Sequence, residues 1–138
     1  MFDIDGWSID IDQVIPALCE IDPNLKNASI LVRVSSSYGV HKTGEQPNID
    51  SCSYHVWVLG IKDPKDIARY GEDFAKRCWL EGQGYIKVSK TGSMLVRQLI
   101  DASVFSPERL VFEASPTLGD GIEQLERPYR IQLGDCDA

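Results

Sequence analysis

The chain has 138 residues, enough for one domain with its own core, and its 43% apolar and 25% charged content is ordinary for a globular protein. A net charge of −7 excludes a protein that wraps nucleic acid by charge alone, and no apolar run approaches the roughly 20 residues that span a bilayer. Cys19, Cys52, Cys78 and Cys136 are scattered without paired zinc spacing, which points to reduced thiols and a cytoplasmic setting. Asp3 and Asp5 interrupt the apolar stretch a signal peptide would need.

Met1 to Ile4 reads as a strand, so alternation puts Asp3 and Asp5 on one face. Two carboxylates on one face repel unless a cation lies between them, and oxygen ligands suit magnesium or manganese. An isolated Asp-x-Asp also reads as a strand end running into a polar turn at Gly6. Val14, Ala17, Leu18 and Ile21 then follow at helical spacing, with Pro16 compatible only with a first turn. Ser29 to Val34 is a β-branched strand that leads into Ser35-Ser36-Ser37-Tyr38-Gly39. That hydroxyl-rich turn can cradle a triphosphate or serve as plain loop. Residues 40–52 read as a flexible polar loop, and Tyr54 to Leu59 as the next strand.

Asp63-Pro64 starts a second helix, with Ile67, Tyr70, Phe74 and Cys78 on one face and Gly82 at its end. Gly84 to Ser89 and Ser93 to Ile100 read as strands joined by a hairpin turn at Lys90-Thr91-Gly92. Ser106 to Arg109 reads as a capped helical turn and Leu110 to Ala114 as a short strand, with few periodic signals after Ser115. The order predicts an α+β fold, a mixed or antiparallel sheet with helices on one face and the other free for a site.

Asp101 follows a strand end and joins Asp3 and Asp5 if the two strands are neighbours; otherwise it is a turn aspartate. Three carboxylates can hold two divalent ions, which clamp the attacking and leaving oxygens in phosphoryl transfer. Ser53 and His55 share a strand face, where hydroxyl and imidazole can hold phosphate oxygens, although a lone strand histidine is more often structural. Arg97, placed on the face of Asp101 if its strand is regular, and Lys87 are the candidate cations.

Three motifs stand in order: Asp3-Ile4-Asp5, Ser53-Tyr54-His55 and Ile100-Asp101. Together they resemble the archaeo-eukaryotic primase superfamily, the primase-polymerases, and most of all its phage and plasmid members. The likeness covers about residues 2 to 115, including Val32 to Gly39, Arg97 to Ser103 and Phe112-Glu113-Ala114. It implies an RNA-recognition-like fold and metal-dependent joining of nucleotides on a DNA template. It also implies Asp3, Asp5 and Asp101 as ligands of Mg2+ or Mn2+, and Ser53 and His55 on the nucleotide's phosphates. Ser35, Ser36, Ser37 and Arg97 complete the expected nucleotide-binding set. The expected partners are nucleoside triphosphates, a DNA template and a helicase domain in a longer protein, with no membrane. Such enzymes usually carry an α/β module before the first carboxylate motif, so the chain is expected to be a single-domain catalytic fragment.

Phe2-Asp3-Ile4-Asp5-Gly6 also resembles the opening of a haloacid-dehalogenase-type phosphatase, with the first Asp as nucleophile. That family has Thr or Val after the glycine, where this chain has Trp7, and Gly134-Asp135-Cys136-Asp137 matches its late acidic pair poorly. A non-enzymatic nucleic-acid-binding module of RNA-recognition-like fold is the third reading.

Overall fold

Strand β1 (Phe2–Ile4) buries Phe2 and Ile4 and turns Asp3 to the opposite face. The computed structural model describes residues 1–50, 52–59 and 63–135. Helix α1 (Ile11–Ile21) begins where the Asp10 amide donates to Gln13 Oε1 at 2.8 Å, and it buries Val14, Leu18, Cys19 and Ile21. Pro16 lies beyond the first turn, and the helix still continues through it. The amide that proline lacks would have met the Asp12 carbonyl on the exposed side, where water can take its place.

Strand β2 (Ile30–Val34) buries Ile30, Val32 and Val34. The stretch read as a loop contains β3 (Val40–Lys42), and β4 (Tyr54–Val58) follows. The Asp63 carboxylate accepts from the Lys65 amide at 3.0 Å and caps a 3-10 turn, Pro64–Asp66, that opens into α2 (Ile67–Leu80). Gly82, at φ 73°, takes the left-handed conformation that ends the helix. β5 (Gly84–Val88) and β6 (Met94–Gln98) form the expected hairpin, closed by the Ser89 amide on the Ser93 carbonyl at 2.9 Å. β7 (Ile122–Gln124) and β8 (Tyr129–Gln132) lie in the stretch where periodicity gave no signal.

The main sheet has the order β1-β4-β2-β8 and every pairing in it is antiparallel. β4 inserts between β1 and β2, the split β-α-β arrangement. Both helices cover one face. Phe2, Ile4, Val32 and Val56 meet Leu18, Phe74 and Cys78 there, with the Phe2 and Phe74 rings 4.8 Å apart. The fold is thus α+β, as expected, with three departures. The β5–β6 hairpin stands as its own two-stranded sheet, and β3 pairs with β7 in another. Leu110 to Ala114 is not a strand: Leu110 is 78% and Phe112 75% exposed, and the segment joins none of the sheets. Ser106 to Arg109 is a single turn, and the helical turn falls earlier, at Ala102–Phe105, capped by Asp101. Among the described residues no helix is long and apolar enough to cross a membrane.

Candidate active site

The antiparallel register lines up side chains across the uncovered face. Asp3 pairs with His55, His55 with Arg33, and Arg33 with Tyr129. One step of alternation further along, about 7 Å away, a second row holds Asp5, Ser53 and Ser35. Ser53 Oγ donates to Asp5 Oδ1 at 2.5 Å, and the Ser35 amide donates to the Ser53 carbonyl at 2.8 Å. Asp3, Asp5, Ser53 and His55 therefore share a face because β1 and β4 are neighbours.

Asp101 joins them from the free edge of β1. Its amide donates to the Asp3 carbonyl at 2.8 Å, so residues 99–101 lie alongside the strand. Leu99 and Ile100 are buried and anchor the segment. The Asp101 carboxylate accepts from the Ser103 amide at 2.9 Å and lies 3.7 Å from Arg109 Nη2. Behind it, the Phe105 ring packs against Gly71 of α2, where a Cβ would come within 2.4 Å of the ring.

The Asp3 carboxyl is pushed above its ordinary value of 3.8. Burial is the main cause, and the nearby charges of Asp101 and Asp5 push the same way, while His55 and Arg109 oppose them. This like-charge crowding is what a divalent cation relieves, and the donor set is all hard oxygen. The donor chemistry therefore fits Mg2+ or Mn2+. The carboxylates are neighbours but not a closed ligand set. Among the described residues no three His, Cys, Asp or Glu side chains stand together as one. Asp5 would have to turn from Ser53, and Asp101 from Arg109, to converge with Asp3.

His55 Nε2 lies 3.9 Å from Asp3 Oδ1, and His55 Nδ1 contacts Glu113 Oε1. Arg127, only 7% exposed, holds Glu113 in turn: Nη1 donates to its carbonyl at 2.8 Å and Nη2 lies 3.4 Å from Oε2. Arg127 also donates to the carbonyls of Val34 and Ser35. Glu113, Arg127 and Arg33 belong to the face and were not singled out from sequence. Alternation with buried Val32 and Val34 pointed Arg33 outward. Glu113 stands within the Phe112-Glu113-Ala114 stretch of the likeness without a role of its own, and Arg127 gives no local signal.

Ser35, Ser36 and Ser37 form the expected turn. Ser35 and Ser37 hydroxyls stand 3.3 Å apart, and Gln124 Nε2 donates to the Ser36 carbonyl at 2.7 Å. Ser35 borders the site directly, while Ser36 and Ser37 lie further round the turn. Arg97 is exposed on the separate β5–β6 hairpin, and so is Lys87. β6 ends at Gln98, so no regular alternation carries the face of Arg97 to Asp101. Of the late acidic pair, Cys136 and Asp137 lie outside the described residues. No protein-family model matches the chain, nor does any curated protein or solved structure.

Proposed function

We propose that this chain is the catalytic part of a metal-dependent nucleotidyltransferase that joins nucleotides on a DNA template, in the manner of primase-polymerases. The observation that carries the reading is the pair of rows, Asp3–His55 and Asp5–Ser53, with the Asp101 backbone hydrogen-bonded to Asp3. The three aspartates would hold Mg2+ or Mn2+, which when bound supplies positive charge to the phosphate oxygens as they react. Ser53 donates its hydroxyl to Asp5. Turning that hydroxyl to a phosphate releases Asp5 toward the cation, so nucleotide and metal would bind together. Protonated on both ring nitrogens, His55 would offer Nε2–H to the same phosphates, and Arg33 would bring positive charge to the row. Nucleoside triphosphates and a DNA template are the partners this chemistry requires.

The binding-module reading has one observation in its favour. Trp57 alternates with His55 onto the uncovered face, pairs with Leu31, and Leu31 pairs with Ile131. Such an apolar row can stack bases without any metal. Manganese binding separates the two. Mn2+ titration followed by electron paramagnetic resonance, with and without deoxyribonucleoside triphosphates, should show tighter metal binding when nucleotide is present. Asp3→Asn and Asp5→Asn should abolish that gain. Equal manganese binding by the variants and the parent would remove the reading.

A further inference from the structure

Glu113 and Arg127, like Arg109, are charged groups at the site to which the proposed chemistry gives no role. Glu113 sits in a segment with no secondary structure, between the exposed Phe112 and Ala114. Its side-chain partners among the described residues, His55 and Arg127, are distant in sequence. Its order comes from Arg127, whose guanidinium is almost wholly buried and makes contacts to main-chain oxygens of Val34, Ser35 and Glu113. A planar, permanently charged guanidinium held by carbonyls is a rigid base for a carboxylate. The Glu113 carboxylate then bridges Arg127 through Oε2 and His55 through Oε1.

We propose that Glu113 is the positioning residue for His55: anchored by Arg127, its carboxylate claims the proton on Nδ1 and so directs Nε2 toward Asp3 and the uncovered face. The inference deepens the nucleotidyltransferase reading and rests on it for its functional consequence. Glu113 is in hydrogen-bond contact with Nδ1, whereas Asp3 stands 3.9 Å from Nε2, beyond hydrogen-bond reach, so Glu113 decides which nitrogen of the neutral ring carries the proton. An imidazole held this way presents Nε2 at one defined angle, as an acceptor when the ring is neutral and as a donor to phosphate oxygens when the ring carries both protons. Outer partners of this kind typically change affinity or activity by about 10- to 100-fold when removed.

The test is nitrogen-15 NMR of the neutral His55 ring in protein labelled at histidine, assigned by comparison with His55→Gln. The parent should carry its proton on Nδ1. Glu113→Ala should move the proton to Nε2, the form an unconstrained imidazole favours, while Glu113→Gln, which keeps an acceptor oxygen, should hold it on Nδ1. A parent ring with the proton on Nε2 overturns the proposal, whatever the variants do. So does a Glu113→Ala protein whose ring is unchanged. If Glu113→Ala does not fold, the parent spectrum still decides the matter. Triphosphate binding is the second readout: Glu113→Ala should weaken it roughly tenfold with substantial rescue by Glu113→Gln. A fixed Nδ1 proton in a protein that binds no triphosphate would leave the positioning intact and refute the nucleotidyltransferase reading alone.

Discussion

Gly71→Ala tests how the second helix holds the third carboxylate in place. Gly71 lies inside α2, where alanine is favoured over glycine by up to about 1 kcal/mol. The new Cβ, however, would stand 2.4 Å from Phe105 Cγ, 2.6 Å from Cδ2 and 2.9 Å from Cβ. Three contacts that short cannot be relieved by a flexible tip, because they involve the base of the side chain. Phe105 is itself packed edge-on against Phe2, with ring centroids 5.4 Å apart, so moving the ring also disturbs that contact. Overpacking of this kind costs about 1–3 kcal/mol. Set against the helix gain, the net should be a loss of about 0–2 kcal/mol, with Ala102–Phe105 displaced away from α2. The displacement pulls on Asp101, whose amide bonds the Asp3 carbonyl at 2.8 Å. Urea unfolding gives the first number, and hydrogen exchange at the Asp101 amide gives the second. Exchange there should accelerate well beyond what the change in global stability accounts for. A variant more stable by about 1 kcal/mol, with Asp101 exchange unchanged, would show that the Gly71–Phe105 contact does not position the carboxylate.

Further outcomes are expected. Without divalent ions, Asp3→Asn should stabilise the protein at pH 7 and leave it unchanged below pH 3.8, checked by urea unfolding across that range. The sign follows from the raised carboxyl of Asp3, since the folded state binds its proton more tightly and stability falls as pH rises from 3.8 through the raised value. Equal effects at both ends of the range would refute it. Phe74→Ala, at a fully buried ring between Phe2 and Tyr70, should cost about 3–5 kcal/mol in the same assay. Replacing His55 by Ala should weaken triphosphate binding by about one to two decades, the loss of a charge-assisted hydrogen bond. A thiol reagent should modify Cys52 before Cys78, whose buried thiol is pushed up to about 11, and mass mapping of partly labelled protein reads the order.

Much of the site was legible because it rests on short-range periodicity. Two-residue alternation alone puts Asp3 with Asp5 and Ser53 with His55, and apolar runs mark β1, β2 and β4. What alternation cannot supply is which strands are neighbours. The insertion of β4 between β1 and β2 joins the two pairs, and it is a property of the whole sheet. β7 and β8 escaped notice because each has three or four residues and takes its order from partners about 80 to 100 residues earlier. Leu110 to Ala114 misled in the opposite way: it has strand composition but pairs with no strand. Arg97 was assigned on the premise of a regular strand, and β6 stops one residue after it. Glu113 and Arg127 owe their place to contacts with His55 and with the Val34 and Ser35 carbonyls, which no window of sequence around either residue contains.

The central claim is that the uncovered face joins nucleotides when its three aspartates hold a cation. The most direct measurement is incorporation of labelled nucleotides on a single-stranded DNA template, at low salt with manganese, by the parent and by Asp3→Asn. The account predicts weak but template-dependent product from the parent, as expected of a catalytic fragment that is a poor polymerase alone, none after chelation of the metal, and none from Asp3→Asn under conditions where both proteins are folded. Product that survives chelation, or equal product from Asp3→Asn, would contradict it.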